Sequence, residues 1–221
     1  MTYMKEYLPI LQAVKLFSGI ADAELETMLS CIEARTKAYR KGRIILFAGD
    51  KPQNIGIVLK GQLQIVREDY DGNRSIVAVL APGDVFAEAL CFAGVAESPV
   101  TVIADQDSIV ILLGFARILH TCPNSCSFHR EFIGNMLELI AVKNLRLQSH
   151  MEILSTKSIR ARVLLFFESF NAKKGREIAV PLNREEMADY LCVERSALSH
   201  ELARMKMDGL IEYKKNKFVL K

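Results

Sequence analysis

The chain holds no stretch approaching the ~20 apolar residues that a bilayer-spanning helix needs, so it is not expected to cross a membrane. Its first residues, Met1-Thr2-Tyr3-Met4-Lys5-Glu6, put no apolar run behind a basic start, and a signal peptide is not expected either. The cytoplasm is the expected compartment. Histidine is absent from residues 1–119. A barrel that holds a catalytic metal needs several histidines, so a metal-dependent enzyme on this part is a poor reading. Paired catalytic carboxylates, a nucleophile elbow and a phosphate loop are all missing, and no enzyme is expected. The five cysteines (Cys31, Cys91, Cys122, Cys126, Cys192) are scattered and odd in number, which argues against a disulfide framework and for reduced thiols. There are no internal repeats and no low-complexity segment.

What is present is the balance of a soluble globular protein: 221 residues, 50% hydrophobic and 25% charged, enough for one large domain or two small ones. The net charge of +3 is unevenly placed. Residues 156–221 carry 14 Lys+Arg against 9 Asp+Glu, whereas residues 1–155 carry 15 against 17. A basic C-terminal part on a slightly acidic body suggests a polyanionic partner, although an ordinary solvated surface has the same signature.

Residues 6–36 place Leu16, Phe17, Ile20, Leu25, Met28, Leu29 and Ile32 at helical spacing. From about residue 43 the period shortens. Arg43–Phe47, Ile55–Leu59, Gln62–Arg67, Ser75–Leu80, Val100–Ala104 and Ser108–Leu113 are short Ile/Val/Leu-rich runs, punctuated by Gly49-Asp50, Gly61, Asp71-Gly72 and Gly83-Asp84. Asp71-Gly72 is a hairpin signal. Many short, closely spaced strands imply a small barrel or jelly roll. Pro123 opens a helical stretch to about residue 154, in which Ile133, Leu137, Ile140, Asn144, Leu147, Met151 and Leu154 follow one another at alternating spacings of four and three. That is a heptad seam with one Asn, the pattern of a two-stranded coil between copies. The alternative is a helix packed on its own barrel with Asn144 at the edge.

The last third carries the sharpest signal. Ile159–Phe170 reads as a helix and residues 171–175 as a loop. Asn183 and Glu186 form a capping-box pattern. Met187, Ala188 and Leu191 are the buried side of a short helix; Cys192, Val193 and Glu194 are the break. A second helix from about Arg195 to Asp208 buries Ala197, Leu198, Leu202 and Met205, and Gly209 ends it. Leu210–Tyr213 and Phe218–Leu220 around a basic turn read as a two-stranded wing. Ala188 is small where two crossing helices must touch. Arg195, Ser196, Ser199 and His200, at the start of the second helix, have the donors and acceptors to read base edges. Arg204, Lys206 and Lys215 suit phosphates, which set affinity rather than sequence. A plain helical hairpin with a polar surface is the competing reading, and a ligand-binding module that never touches DNA is another.

Residues 183–220, from Asn183 to Leu220, resemble the winged helix-turn-helix of the Crp/Fnr regulators. KGRIILFAGD (41–50), IGIVLKGQLQIV (55–66) and VLAPGDVFAEAL (79–90) resemble the cyclic-nucleotide-binding barrel of the same family. The seam at 133–154 lies where that family has its dimer helix. The resemblance implies an α+β chain. Residues 1–120 would be an N-terminal antiparallel β-roll or jelly-roll sensor barrel, 121–155 a dimerisation helix, and 156–221 a winged helix-turn-helix. It also implies a homodimer on a palindromic double-stranded DNA site, with RNA polymerase as a partner and a small-molecule effector acting at the barrel. By position, Arg195, Ser196, Ser199 and His200 match the base-reading residues. Cys192 stands where the family's turn carries Gly.

In members that bind cyclic AMP, a Glu takes the ribose and an Arg followed by Ser or Thr takes the phosphate. Glu88, with Ala89 beside it, matches the Glu; the Arg position falls at Ser98, followed by Pro99, and the Gly before the Glu is Ala87. The phosphate would lose its counter-ion and one backbone donor, since proline has no N–H. An effector other than cyclic AMP is therefore expected. Cys122 and Cys126 are four apart at a helix start, with His120 and His129 near, so a redox, metal or haem sensor is the second reading. Two thiols are too few for an iron–sulfur cluster, and capping with packing accounts for the same residues.

Overall fold

The computed structural model describes residues 4–69, 71, 72, 74–119, 127–170 and 173–221. Two compact units divide the chain, one up to Ala141 and one from Val142 onward.

The first unit opens with helices α1 (Met4–Ala13) and α2 (Asp22–Cys31), joined through a short 3-10 turn at Lys15–Phe17. Asp22 and Glu24 lie in the first turn of α2, where negative charge is favoured. The strands follow: β1 (Arg35–Tyr39), β2 (Ile44–Leu46), β3 (Asn54–Lys60), β4 (Leu63–Glu68), β5 (Arg74–Leu80) and β6 (Val85–Phe86). After helix α3 (Glu88–Phe92) come β7 (Thr101–Ala104) and β8 (Ser108–Gly114), then helices α4 (Phe115–Leu119) and α5 (Ser127–Ser155). Two four-stranded sheets result, in the orders β1-β8-β3-β6 and β2-β7-β4-β5, with every pair antiparallel.

One core lies between the sheets: Val58, Phe86 and Val110 from the first, with Leu63, Leu80, Val102 and Ala104 from the second. A second core covers the other face of the first sheet, where Ile55, Ile57, Leu59, Ile111 and Leu113 pack with Leu11, Leu25, Met28, Phe132 and Met136 of the helices. β3 is thus buried on both faces, which explains its unbroken apolar run. Full burial of a side chain such as Phe132 stabilises by about 1.5–3 kcal/mol. Gly56 lies opposite Phe86, and a Cβ there would come within 2.0 Å of the ring. The Asp71-Gly72 hairpin forms as expected: β4 and β5 pair from Leu63↔Leu80 to Glu68↔Arg74, with Gly72 at φ +79°.

Two parts of this unit differ from the sequence reading. The helical region ends at Cys31, and Arg35–Tyr39 is an edge strand exposed over four of its five residues. Short helices also stand at Glu88–Phe92 and Phe115–Leu119. α5 is described from Ser127; Pro123, Cys122 and Cys126 lie outside the described residues.

The second unit contains the later part of α5, then α6 (Ile159–Ser169), β9 (Glu177–Ala179), α7 (Arg184–Tyr190), α8 (Arg195–Met207), β10 (Ile211–Lys214) and β11 (Lys217–Leu220). Its core is Val163, Phe166, Phe167, Met187, Leu191, Leu198, Leu202, Met205, Ile211 and Phe218. The wing has three strands, ordered β10-β11-β9, not two. Phe218 pairs with Tyr213 on one side and Ile178 on the other, and its ring lies 4.7 Å from that of Phe167. Along α5, Leu137, Leu147 and Met151 of the seam are 62%, 63% and 70% exposed, and Asn144 is exposed with them. Ile133, Ile140 and Leu154 are half-buried.

Candidate nucleic-acid interface

The start of α7 is fixed by a reciprocal cap. Asn183 Oδ1 accepts from the Glu185 and Glu186 amides at 2.9 and 3.0 Å, and Glu186 Oε2 accepts from the Asn183 amide at 2.6 Å. Met187 and Ala188 are then buried, as their spacing implies. The chain leaves α7 through Cys192, whose φ of +51° is left-handed. This is the strain expected of a side chain where the family carries Gly. The Val193 amide donates to the Ala188 carbonyl at 3.0 Å, closing the turn over the small residue.

Side chains from outside the motif grip this turn. Arg162 of α6 donates from Nε to the Thr156 carbonyl at 2.6 Å and from Nη1 to the Leu191 and Cys192 carbonyls at 3.0 and 3.4 Å. His150 of α5 bonds the Tyr190 carbonyl at 2.8 Å and stacks on the Tyr190 ring at 4.2 Å. The last carbonyls of a helix have no intrahelical partner, and here they receive a guanidinium and an imidazole.

Leu198, Leu202 and Met205 are buried and set the rotation of α8. Arg195, Ser196, Ser199 and His200 are therefore exposed together, spaced i, i+1, i+4 and i+5 along one side. None of the four has an ion pair or side-chain hydrogen bond among the described residues. Behind them, Arg160 bridges Glu201 at 2.6 Å and Asp208 at 2.7 Å, tying α6 to both the middle and the end of α8. Arg204 shares Glu201 at 3.8 Å, and the Lys206 ammonium stands 5.3 Å over the Tyr213 ring.

Lys215 is at the tip of the wing turn, with φ +54°, between the paired Lys214 and Lys217. Arg184 lies 5.4 Å from both the Tyr213 and Phe218 ring centres, and its Nη2 donates to the Lys215 carbonyl at 3.4 Å. Burial there pushes its pKa below the usual arginine value. His150, Arg160, Arg162 and Arg184 were not found from the sequence. Each acts through a partner remote in the chain, so no local spacing marks it.

In the first unit, Glu88 opens α3 and is buried, and the residue before it, Ala87, is left-handed at φ +62°. Ser98 is buried too. Its amide donates to the Asp50 carbonyl at 2.8 Å, its hydroxyl donates to the Val100 carbonyl at 2.7 Å, and its own carbonyl accepts from the Gly49 amide at 2.9 Å. Ala89 and Pro99 are exposed. The Cys91 thiol, near Glu88, is pushed up to about 11 by burial and then by the Glu88 charge, so it stays protonated at neutral pH. Among the described residues no group of three or more His, Cys, Asp or Glu is placed to hold a metal ion.

Residues 36–122 match the family model described as a cyclic nucleotide-binding domain, and residues 161–221 match the Crp-like helix-turn-helix domain. The chain is 22% identical over 199 residues to the cyclic AMP receptor protein of Thermus thermophilus, covering 89% of this chain and 87% of that protein. It is 25% identical over 205 residues to the transcriptional activator protein FnrL of Cereibacter sphaeroides, covering 83% and 75%. The crystal structure of the Thermus thermophilus catabolite activator protein superimposes with a TM-score of 0.55 at 21% identity, covering 94% of this chain and 93% of that one. Both domains, in this order, place the chain in the Crp/Fnr family of transcription regulators.

Proposed function

We propose that this chain regulates transcription by binding a palindromic double-stranded DNA site as a homodimer, under control of a small-molecule effector other than cyclic AMP. The observation that carries the reading is the face of α8. Arg195, Ser196, Ser199 and His200 project together, free of internal partners among the described residues, from a helix whose opposite side is fully buried. Side chains held for internal structure would be paired; these four are available to base edges. Lys215 at the wing tip, with Arg204 and Lys206, supplies phosphate contacts. The exposed α5 seam, with Leu137, Leu147 and Met151 around Asn144, supports a self-paired helix. RNA polymerase is the proposed partner at the promoter, and the cytoplasm the proposed place of action. No helix among the described residues is long and apolar enough to cross a membrane.

The effector clause rests on residues 87–99. The Thermus thermophilus relative is named for cyclic AMP, but here the phosphate-binding position is Ser98, whose hydroxyl and amide are both engaged by the chain itself. Calorimetry with cyclic AMP is expected to show no micromolar binding; such binding would remove this clause.

The DNA-binding reading is tested with two variants. Arg195→Ala should relax preference at one base position per half-site, at about 1–3 kcal/mol. Lys215→Ala should weaken all sequences alike and flatten the salt slope by about one. Identical behaviour of the two variants would contradict the division between reading and anchoring.

A further inference from the structure

A cavity of 690 Å³ opens in the first unit beside β1, β8, α3 and α4. Four cations stand on its wall, Arg35, Lys37, Lys51 and Arg117, against one carboxylate, Glu33. Glu33 is bound to Arg117 at 2.7 Å and reaches Arg35 at 3.9 Å. Its backbone is left-handed at φ +51°, a conformation that a non-glycine residue keeps only where its surroundings impose it. Lys37 and Lys51 have no ion pair among the described residues.

The register shows which way this wall faces. Arg35 is opposite Leu112 and Lys37 opposite Val110, so these pairs share a face. Leu112 and Val110 belong to the core between the sheets, and the two cations therefore lie on the inner face of β1. A second hollow of 370 Å³ shares Lys51, Gln53, Asn54 and Leu112 with the first and extends to Phe86 and Ala87, next to Glu88. Ser98 lines neither. Ser98 puts no charge where the family's nucleotide phosphate would lie, whereas Arg35 and Lys37 stand exposed along the β1 edge of the first hollow.

The volume is that of a small-molecule site, for which about 300–1,000 Å³ is usual. Cations gathered on a concave, partly apolar wall raise the local concentration of anions. The side-chain amides of Gln53 and Asn54 add donors and acceptors.

We propose that this cavity is the effector site of the regulator read above, and that its ligand is a small organic anion with at least two acidic groups. Lys37 and Lys51 hold its charge, and Arg35 and Arg117 complete the wall. Carboxylates and phosphates share this chemistry, so both are probed. The full chain is titrated calorimetrically with citrate and with inorganic pyrophosphate at constant ionic strength. At least one should bind once per chain. Lys37→Gln and Lys51→Gln should each weaken binding about tenfold, the loss of one charge-assisted contact. Lys60→Gln, an exposed lysine outside the cavity, should change nothing. The replaced lysines are exposed, so the variants keep the fold, and circular dichroism checks this. Absence of binding by both anions up to millimolar concentration overturns the site, as does an equal loss in Lys60→Gln. Fluorescence anisotropy on promoter DNA separates the two readings. DNA binding without anion binding removes this site alone, whereas anion binding without DNA binding removes the regulator reading and leaves the site.

Discussion

At residue 192 a thiol-bearing side chain sits in backbone that glycine adopts freely, with φ at +51°. Ala87 does the same beside Glu88, at φ +62°. Left-handed backbone costs a non-glycine residue about 1–2 kcal/mol. Both departures from the family's glycine are legible within matched motifs, whereas the left-handed backbone at Ala87 is not. Part of the strain is offset by glycine's larger unfolded-state entropy. Cys192→Gly is accordingly expected to stabilise the protein by about 0.5–1 kcal/mol in urea unfolding. Its DNA affinity should be unchanged, since Arg162 grips carbonyls that glycine retains. A lower midpoint for the variant would contradict this account of the turn.

At the scale of elements, legibility followed the range of the signal. The α7 cap and the α8 stop were visible because Asn183 and Glu186 meet across three residues and Gly209 acts on its own backbone, at φ +73°. β9 was not visible. Glu177, Ile178 and Ala179 gain strand structure only by pairing with Lys217–Val219, far along the chain. β1 was missed for the opposite reason: as an exposed edge it needs no apolar alternation, and Arg-Thr-Lys-Ala-Tyr offers none. The local and remote supports of the helix pair should separate experimentally. Asn183→Ala removes only the cap and should cost about 1 kcal/mol of stability, with DNA affinity of the folded protein kept. Arg162→Ala frees the Leu191 and Cys192 carbonyls of the turn and the Thr156 carbonyl ahead of α6. It should weaken DNA binding by more than its stability loss explains, measured by anisotropy well below the unfolding midpoint. Equal effects of the two variants on DNA affinity would count against Arg162 as a positioning residue.

At the scale of the molecule, the order of parts was legible: short glycine-punctuated strands, a heptad helix, then a helix pair and wing within a basic C-terminal part. Most strands of the barrel lie where the Ile/Val/Leu runs put them, because β3 and β8 are buried on both faces and read as plain apolar segments. The cationic cavity could not be read in advance. Arg35, Lys37, Lys51 and Arg117 come from three separate segments and converge only in the folded unit. The proposed function stands on one claim, that a dimer reads DNA through the face of α8. Selection of bound sequences from a random DNA pool by the full chain tests it most directly. The account predicts a two-fold symmetric motif with half-sites about one helical turn apart, 10–10.5 bp centre to centre, and with Arg195→Ala a symmetric loss of one position in each half. A pool without enrichment, or a motif lacking two-fold symmetry, would contradict it.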